Sequence, residues 1–472
     1  MTDIVEMEVH HEEEAHGRLS HALESRHVSM IAIGGIIGAG LFVGSSTAIA
    51  WTGPAVVLSY AIAGLIILLV MRMLSEMASL HPGAGSFTEL VRIGLGERAG
   101  FICGWLYWYF WVVVVAIEAI AGAVILASWI MAPVWLIGMA LLALMTGVNL
   151  LSTRSYGEFE FWFSLMKVVA IIGFILIAGL WAFGVTSPSG PTFANLVDHG
   201  GFVPKGWGAV LAGVTTVIFA LCGAEIATIA AAESHEPAKT IARITGSVAL
   251  RILLFYLLSI GLIVSVIPWT DIVEGYSPFA TALNHMNIPH AGDIMNLVVL
   301  VAVLSCLNSG MYVTSRVLFV LSEKGNAPKA LTALNRRHVP VRSTLIGSLF
   351  AYLALAASVL SPQLVFSFLV NASGALMLFI YLLVCFAQLR MRAATERSAP
   401  DRLVIRMWCH PYASYASAVA IVIVLGAMAF KASSRVELVS SLALLAIVFA
   451  LSFVEPKKLP GSEGTALPVA EV

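Results

Sequence analysis

Residues 30–44 read MIAIGGIIGAGLFVG, and the reading of this stretch decides the fold. It is apolar enough to enter a bilayer, yet it carries Gly34, Gly35, Gly38, Gly40 and Gly44. Glycine costs a helix interior about 1 kcal/mol relative to alanine, so such a cluster interrupts a span more readily than it builds one. A broken helix frees backbone N–H and C=O groups, which lipid tolerates only where they line a cavity or hold a ligand. The stretch is therefore a candidate binding site. Gly34 and Gly38 also form GxxxG, a spacing used for close helix packing, and taken alone the pair is balanced between the two uses.

The rest of the composition agrees with a membrane setting. The chain has 472 residues, 59% hydrophobic and 11% charged, with a mean hydropathy of +0.93. Soluble domains run near a quarter charged, so this is a polytopic membrane protein. A net charge of −1 leaves no concentrated basic surface of the kind phosphate backbones require, which argues against a nucleic-acid partner. Cys103, Cys222, Cys306 and Cys385 fall in apolar runs and Cys409 in a basic loop; they make neither a disulfide framework nor a metal-ligand spacing. The N-terminal EMEVHHEEEAH lacks the basic region and cleavable apolar core of a signal peptide. Its His10, His11 and His16 are read as part of a solvated, disordered tail and not as metal ligands.

A hydrocarbon core of about 30 Å needs about 20 residues per helix. That ruler divides the chain into twelve spans, near 28–50, 54–74, 99–128, 133–151, 158–184, 208–232, 244–268, 292–320, 343–360, 364–388, 412–430 and 435–454. The expected fold class is thus an all-α membrane protein with 12 transmembrane helices. Cytoplasmic tails would cover 1–27 and 455–472. Of the 26 Lys and Arg, only Lys205, Lys431 and Arg435 fall in loops on one side; Lys167, Arg251 and Arg316 lie within spans, and Arg72 stands at the edge of span 2. All others sit on the opposite side, which places both termini in the cytoplasm.

No soluble domain interrupts the spans. An enzyme would need a convergent nucleophile and base or a metal set, and histidines are nearly absent from the spans, so no catalytic residues are expected. A channel would show a pore-lining polar or charged ring, and none is evident.

Span 6, GVTTVIFALCGAEIATIAAAES, repeats the motif of span 1: Gly223 and the intramembrane acid Glu225 stand at its middle. If spans 1–5 (28–184) and 6–10 (208–388) are inverted five-helix repeats followed by two further helices (412–454), each repeat opens with an interrupted helix. Paired interruptions of that kind point to a transport site near the bilayer midplane. The chemistry suits a zwitterion. Freed N–H groups at a half-helix N-terminus attract a carboxylate, and freed carbonyls on the partner accept from an ammonium. An amino acid carries both.

Three charged residues lie too deep to be idle. Lys167, in EFWFSLMKVVAIIGF, is too far from its membrane edge to snorkel, and burial disfavours the charged form of a lysine, so it can alternate between states as a proton-coupling group must. Its bland reading is a static pair with Glu118 of span 3 or with Glu225. Glu225 and Glu118 are the accompanying proton-coupling candidates, although Glu225 could instead cap or bridge helices. The aromatic run GWLYWYFW, Trp105–Trp111, reads as helix packing or an interface belt.

With these residues in view, the sequence resembles the amino acid–polyamine–organocation superfamily, in its bacterial amino acid permease branch. The likeness rests on SRHVSMIAIGGIIGAGLFVGS from Ser25, MRMLSEMA from Met71, PGAGSF from Pro82, YGEFEFWFSLMKV from Tyr156, FALCGAEIATIAAAES from Phe219 and LSCLNSGMYVTSRVLF from Leu304. It spans residues 20 to 455. GWLYWYFWV, the form of span 6, NIPH at Asn287 and RMWCHPY from Arg406 look most like the γ-aminobutyrate permeases.

The resemblance implies two inverted five-helix repeats plus two helices, in a bacterial inner membrane. It implies proton-coupled import of an amino acid, energised by the proton gradient with no bound cofactor. Carried over motif by motif, Gly38, Ala39 and Gly40 match the turn that holds the substrate carboxylate. Ala39 stands where many relatives have a hydroxyl residue, keeping the N–H alone. The Phe219, Ala220 and Cys222 carbonyls match the segment facing the amino group. Lys167 matches the span-5 lysine that replaces a sodium ion beside spans 1 and 8, with Ser305 and Ser309 as the span-8 residues next to it. The alternatives are an exchanger, a permease for a proline, aromatic or cationic amino acid, or a transporter-like sensor. Partners would be the small-molecule substrate and the lipid bilayer; oligomeric state is left open.

Overall fold

The computed structural model describes residues 37–81, 84, 86–151, 154–223, 225, 252–335, 339–359 and 361–453. Gly34, Gly35, both tails and the segments following Gly223 and Glu225 lie outside the described residues. Every regular element described is helical.

The chain enters through α1 (Ala39–Phe42) and α2 (Gly44–Thr52), separated by Val43, whose φ of −124° and ψ of −47° leave the helical range. At Gly53, φ is +71° and Pro54 follows. This reverses the path through a 3₁₀ turn into α3 (Val56–Leu80). The reversal needs glycine, because an L side chain is strained at that φ.

α3 runs to Leu80, past the expected limit of residue 74, and the buried Glu76 explains the extension. Its Oε2 accepts from Arg392 Nη1 at 2.6 Å and from Met407 N–H at 2.5 Å, and its Oε1 accepts from Gln388 Nε2 at 2.7 Å. Protein partners thus replace the water that a carboxylate at the membrane edge would keep. α4 (Phe87–Leu95) is a short amphipathic helix that a 20-residue ruler passes over. Phe87, Leu90, Val91 and Gly94 form its buried face, and the Ser86 side chain caps it by accepting from Glu89 N–H at 3.3 Å.

α5 (Glu97–Ala127), α6 (Val134–Leu151), α7 (Arg154–Ala182) and α8 (Trp207–Leu221) fall on expected runs. A π-helical segment, Ile252–Leu258, leads into α9 (Ser259–Val266), and the short α10 (Pro278–His285) lies in the connection that follows. α11 (Ala291–Glu323), α12 (Val341–Ala357), α13 (Pro362–Ser398), α14 (Tyr412–Phe430) and α15 (Arg435–Leu451) complete the described chain. Six helical runs among the described residues are long and apolar enough to cross a membrane; Ala39–Leu80 counts as one, and four shorter apolar helices accompany them. The chain is a multi-pass membrane protein, all-helical among the described residues.

α5 is the central helix. Of its most apolar window 83% is buried, against 28% for the α7 window and 33% for α14, so α5 is wrapped by protein while α7 and α14 turn one face outward. The aromatic run accordingly packs: Tyr107, Trp108 and Trp111 are buried against Phe87, Phe110 and Phe350. On α7, Trp162, Val169, Leu176 and Leu180 are exposed, while Glu160, Ser164, Lys167, Ile171, Phe174 and Ala178 make a buried stripe at helical spacing. The only charges on that stripe face inward.

Backbones meet where side chains are smallest, as expected where lipid removes the apolar driving force between helices. A Cβ on Gly374 of α13 would stand 1.9 Å from the Thr215 carbonyl oxygen of α8, and one on Gly40 would stand 2.6 Å from the Ala220 Cα. These approaches seat α8 between α1 and α13.

Candidate functional site

The interruption in span 1 leaves the first amide of α1 without a helical partner. Ala39 N–H donates instead to the carboxylate of Glu118, at 3.0 Å to Oε1 and 3.0 Å to Oε2. Glu118 is buried in the middle of α5, and a four-residue helix has little dipole, so the direct N–H contact holds the acid there. Gly38 makes room for it: a Cβ at that position would lie 2.6 Å from Glu118 Oε1 and 2.7 Å from Cys306 Sγ. The turn expected to receive a substrate carboxylate thus holds a carboxylate of the protein's own.

Lys167 is fully buried one helix away. Its Nζ donates to Ser305 Oγ at 2.8 Å and lies 3.7 Å from Glu160 Oε1. Ser305 Oγ in turn donates to Glu160 Oε2 at 2.6 Å. Among the described residues the ion-pair partner is Glu160, and not Glu118 or Glu225 as the static-pair reading had it. The reason is register: Glu160 and Lys167 stand two turns apart on one face of α7, with Ser164 between them donating to Glu160 Oε1 at 3.4 Å. Cys306, next to Ser305 on α11, packs on Glu118, so adjacent α11 residues touch the lysine cluster and the α1 turn. Ser309 is buried one turn along the same helix.

The interruption in span 6 is equally clear. α8 ends at Leu221, Cys222 is extended at φ −65° and ψ 155°, and Gly223 has φ +107°. Only glycine enters that region without strain. Gly223 N–H donates to Glu225 Oε2 at 3.0 Å, and Tyr381 Oη donates to the same oxygen at 3.5 Å. Tyr381 Oη also lies 3.8 Å from Cys222 Sγ. Of the carbonyls expected to face an amino group, that of Ala220 accepts from Tyr256 Oη at 3.0 Å and that of Phe219 from Cys222 N–H at 3.3 Å.

The structure thus brings Gly38, Ala39, Gly40, Phe219 and Ala220 together through the Gly40–Ala220 contact, with Glu118, Lys167 and Ser305 on one side and Cys222 and Glu225 on the other. Sequence reasoning missed Glu160, Cys306, Tyr107, Tyr256 and Tyr381. Glu160 carried a usable signal in its seven-residue spacing from Lys167; the tyrosines, on distant helices, carried none. Three buried carboxylates and a buried ammonium around two helix breaks are equipped to take up and pass protons, and to bind a ligand with both signs of charge. No group of His, Cys, Asp and Glu among the described residues could hold a metal ion.

The profile of the amino acid permease family matches residues 27–455. This chain belongs to the amino acid permease family. The permease is 44% identical over 455 residues to the "Gamma-aminobutyric acid permease" of Bacillus subtilis (strain 168), covering 96% of this chain and 97% of the relative. It is also 44% identical to the Escherichia coli (strain K12) protein of that name, covering 91% and 92%. An "Aromatic amino acid transport protein AroP" of Corynebacterium glutamicum is 36% identical over 92% of this chain and 95% of its own length. These relatives are named as transporters and not as enzymes.

Proposed function

We propose that this permease imports a small zwitterionic amino acid, γ-aminobutyrate or a close relative, together with protons. Glu118 on the Ala39 N–H is the observation that carries the reading. A substrate carboxylate needs that N–H, and Glu118 gives it up when protonated, since a neutral acid is a poorer acceptor than a carboxylate. Proton arrival and substrate arrival are then one event at one amide. Lys167, tied through Ser305 to Glu160, lies near Glu118 across Cys306 and adds a second buried titratable group beside the same turn. The relatives at 44% identity support the substrate class. Gly38 to Gly40 form the carboxylate end and the α8 break the amino end.

In this reading twelve helices make two inverted repeats, 28–184 and 208–388, followed by 412–454. The repeats rock around the site, both termini are cytoplasmic, and the proton gradient is the only energy source. Proteoliposome uptake of γ-aminobutyrate with and without an imposed pH gradient tests it. Concentrative uptake that collapses with the gradient, and a Lys167→Ala variant that binds but does not accumulate, are expected. Uptake indifferent to the gradient, or counterflow without accumulation, would select an exchanger instead.

A further inference from the structure

Beyond the groups around Ala39 and Lys167, the chain buries another acid that the transport site does not use. Glu437 stands in the first turn of α15 and is only 6% exposed. An acid in a first helical turn is by itself ordinary, because it complements the freed N–H groups there. The surroundings of this one are not ordinary. From α13, the fully buried Asn371 turns its side chain to Glu437. Asn371 Oδ1 accepts from Thr216 Oγ1 of α8 at 2.5 Å, so the amide N–H group is the end that faces the carboxylate. From the loop between α14 and α15, Lys431 lies within electrostatic reach of Glu437, and its Nζ sits over the Trp51 ring of α2 at 4.3 Å.

The carboxylate therefore has a link to each interrupted helix, through Asn371 to α8 and through Lys431 to α2. α13 is a firm intermediary. Ser441 Oγ of α15 donates to its Ala372 carbonyl at 3.1 Å, and its Gly374 admits the Thr215 backbone of α8. In the topology proposed above, this end of the bundle is the outer one, from which protons enter.

Both links depend on ionisation. A carboxylate attracts Lys431 and accepts strongly from Asn371, whereas a neutral acid attracts no cation and accepts more weakly. The other charges facing Lys431 are Lys205 and Glu274, of opposite sign to each other, and Glu274 accepts from Ser367 Oγ at 2.8 Å. Arg435, nearest Glu437 along the chain, donates its Nε–H to the Ala429 carbonyl at 2.8 Å. Burial draws Lys431 below the usual lysine range, and Glu437 is the first of the groups that push it back up.

We propose that Glu437 is a separate protonation site on the outer face, which latches the outer halves of both interrupted helices when ionised and frees them when it takes a proton. The latch goes beyond the reading of the transport site and is independent of which substrate is carried. An acidic exterior, the condition under which inward proton flow can drive import, then also opens the site to the outside.

The experiment labels a Thr47→Cys reporter, in a Cys409→Ser background of the full chain, with a membrane-impermeant maleimide applied to intact cells. Thr47 of α2 is buried with its Oγ1 3.2 Å from Ser367 Oγ, so the outer face must open before it reacts. The Cys409→Ser chain without the reporter gives the background. Rates are read at alkaline and at mildly acidic outside pH, each variant as a ratio to the reporter chain at the same pH, which cancels the thiol's own titration. Glu437→Gln keeps the shape and cannot ionise; it should label about fivefold faster than the reporter chain at alkaline pH and match it at acidic pH. Lys431→Met removes the charge over Trp51 and leaves the acid; it too should label faster at alkaline pH. Ratios of one for both variants overturn the latch. A Glu437→Gln excess that is the same at both pH values overturns the protonation site, and a reporter that never labels from outside overturns its outer placement. Uptake of γ-aminobutyrate indifferent to the proton gradient would refute the importer without altering these ratios.

Discussion

Gly40 shows how a single missing methyl decides packing. A Cβ there would press to within 2.6 Å of the Ala220 Cα, a backbone atom that cannot swing aside, and within 3.3 Å of the Phe219 ring. Overpacking of this kind costs about 1–3 kcal/mol, and here it is charged to the contact between the two interrupted helices. Gly40→Ala should therefore abolish most uptake while the protein still inserts. Gly44→Ala is the matched control, since its nearest neighbour would be the Ala39 carbonyl oxygen at an ordinary 3.5 Å, and it should transport normally. Equal uptake by the two variants would refute the close-contact role. At this scale the sequence was readable as far as residue type. Glycines in an apolar run announced interruptions, and intramembrane charges announced a buried charged cluster. Partners were not readable: Glu118 reaches Ala39 from a helix 79 residues away, and nothing local to either residue encodes that meeting.

Elements repeat the lesson with a different physics. Helices long and apolar enough for the bilayer ruler stood out, whereas α4 and α10 did not, being short and amphipathic. The extension of α3 was missed because it depends on Glu76 finding protein partners. Those partners come from three places: Arg392 and Gln388 on α13, the Met407 amide in the following loop and, through Gln388, Ser414 on α14 at 2.8 Å. Glu76 thus ties the 400–411 loop to two helices. Glu76→Ala would leave the mostly buried Arg392 without its main counter-charge, retaining only the outlying Glu396. The expected loss is of the order of 3 kcal/mol, read as a lowered melting temperature in detergent. A melting curve superimposable on wild type would remove the clasp from the account.

For the whole molecule, orientation is the property most open to a direct measurement on the unmodified chain. Positive charge is heavily biased to one side, and the five cysteines offer a natural reporter. Cys103, Cys222, Cys306 and Cys385 are buried, and Cys409 alone is exposed, in the loop between α13 and α14. A membrane-impermeant maleimide should leave the permease unlabelled in intact cells and label it once in inverted vesicles, and Cys409→Ser should abolish that label. Labelling in intact cells would reverse the topology. The overall class was legible because composition is a bulk property that needs no contacts, whereas the seating of α8 between α1 and α13 depends on Gly40 and Gly374, whose neighbours only the folded chain reveals.

The protein keeps a carboxylate of its own at its first helix turn. A carrier that must return across the membrane between cargoes faces a barrier when its exposed amide has nothing to bind, and such carriers become obligate swappers. In the cycle proposed above, Glu118 occupies the Ala39 amide on the empty return leg. Net uptake with nothing inside to trade is then the expected outcome of that cycle, and it is what separates this reading from an exchanger.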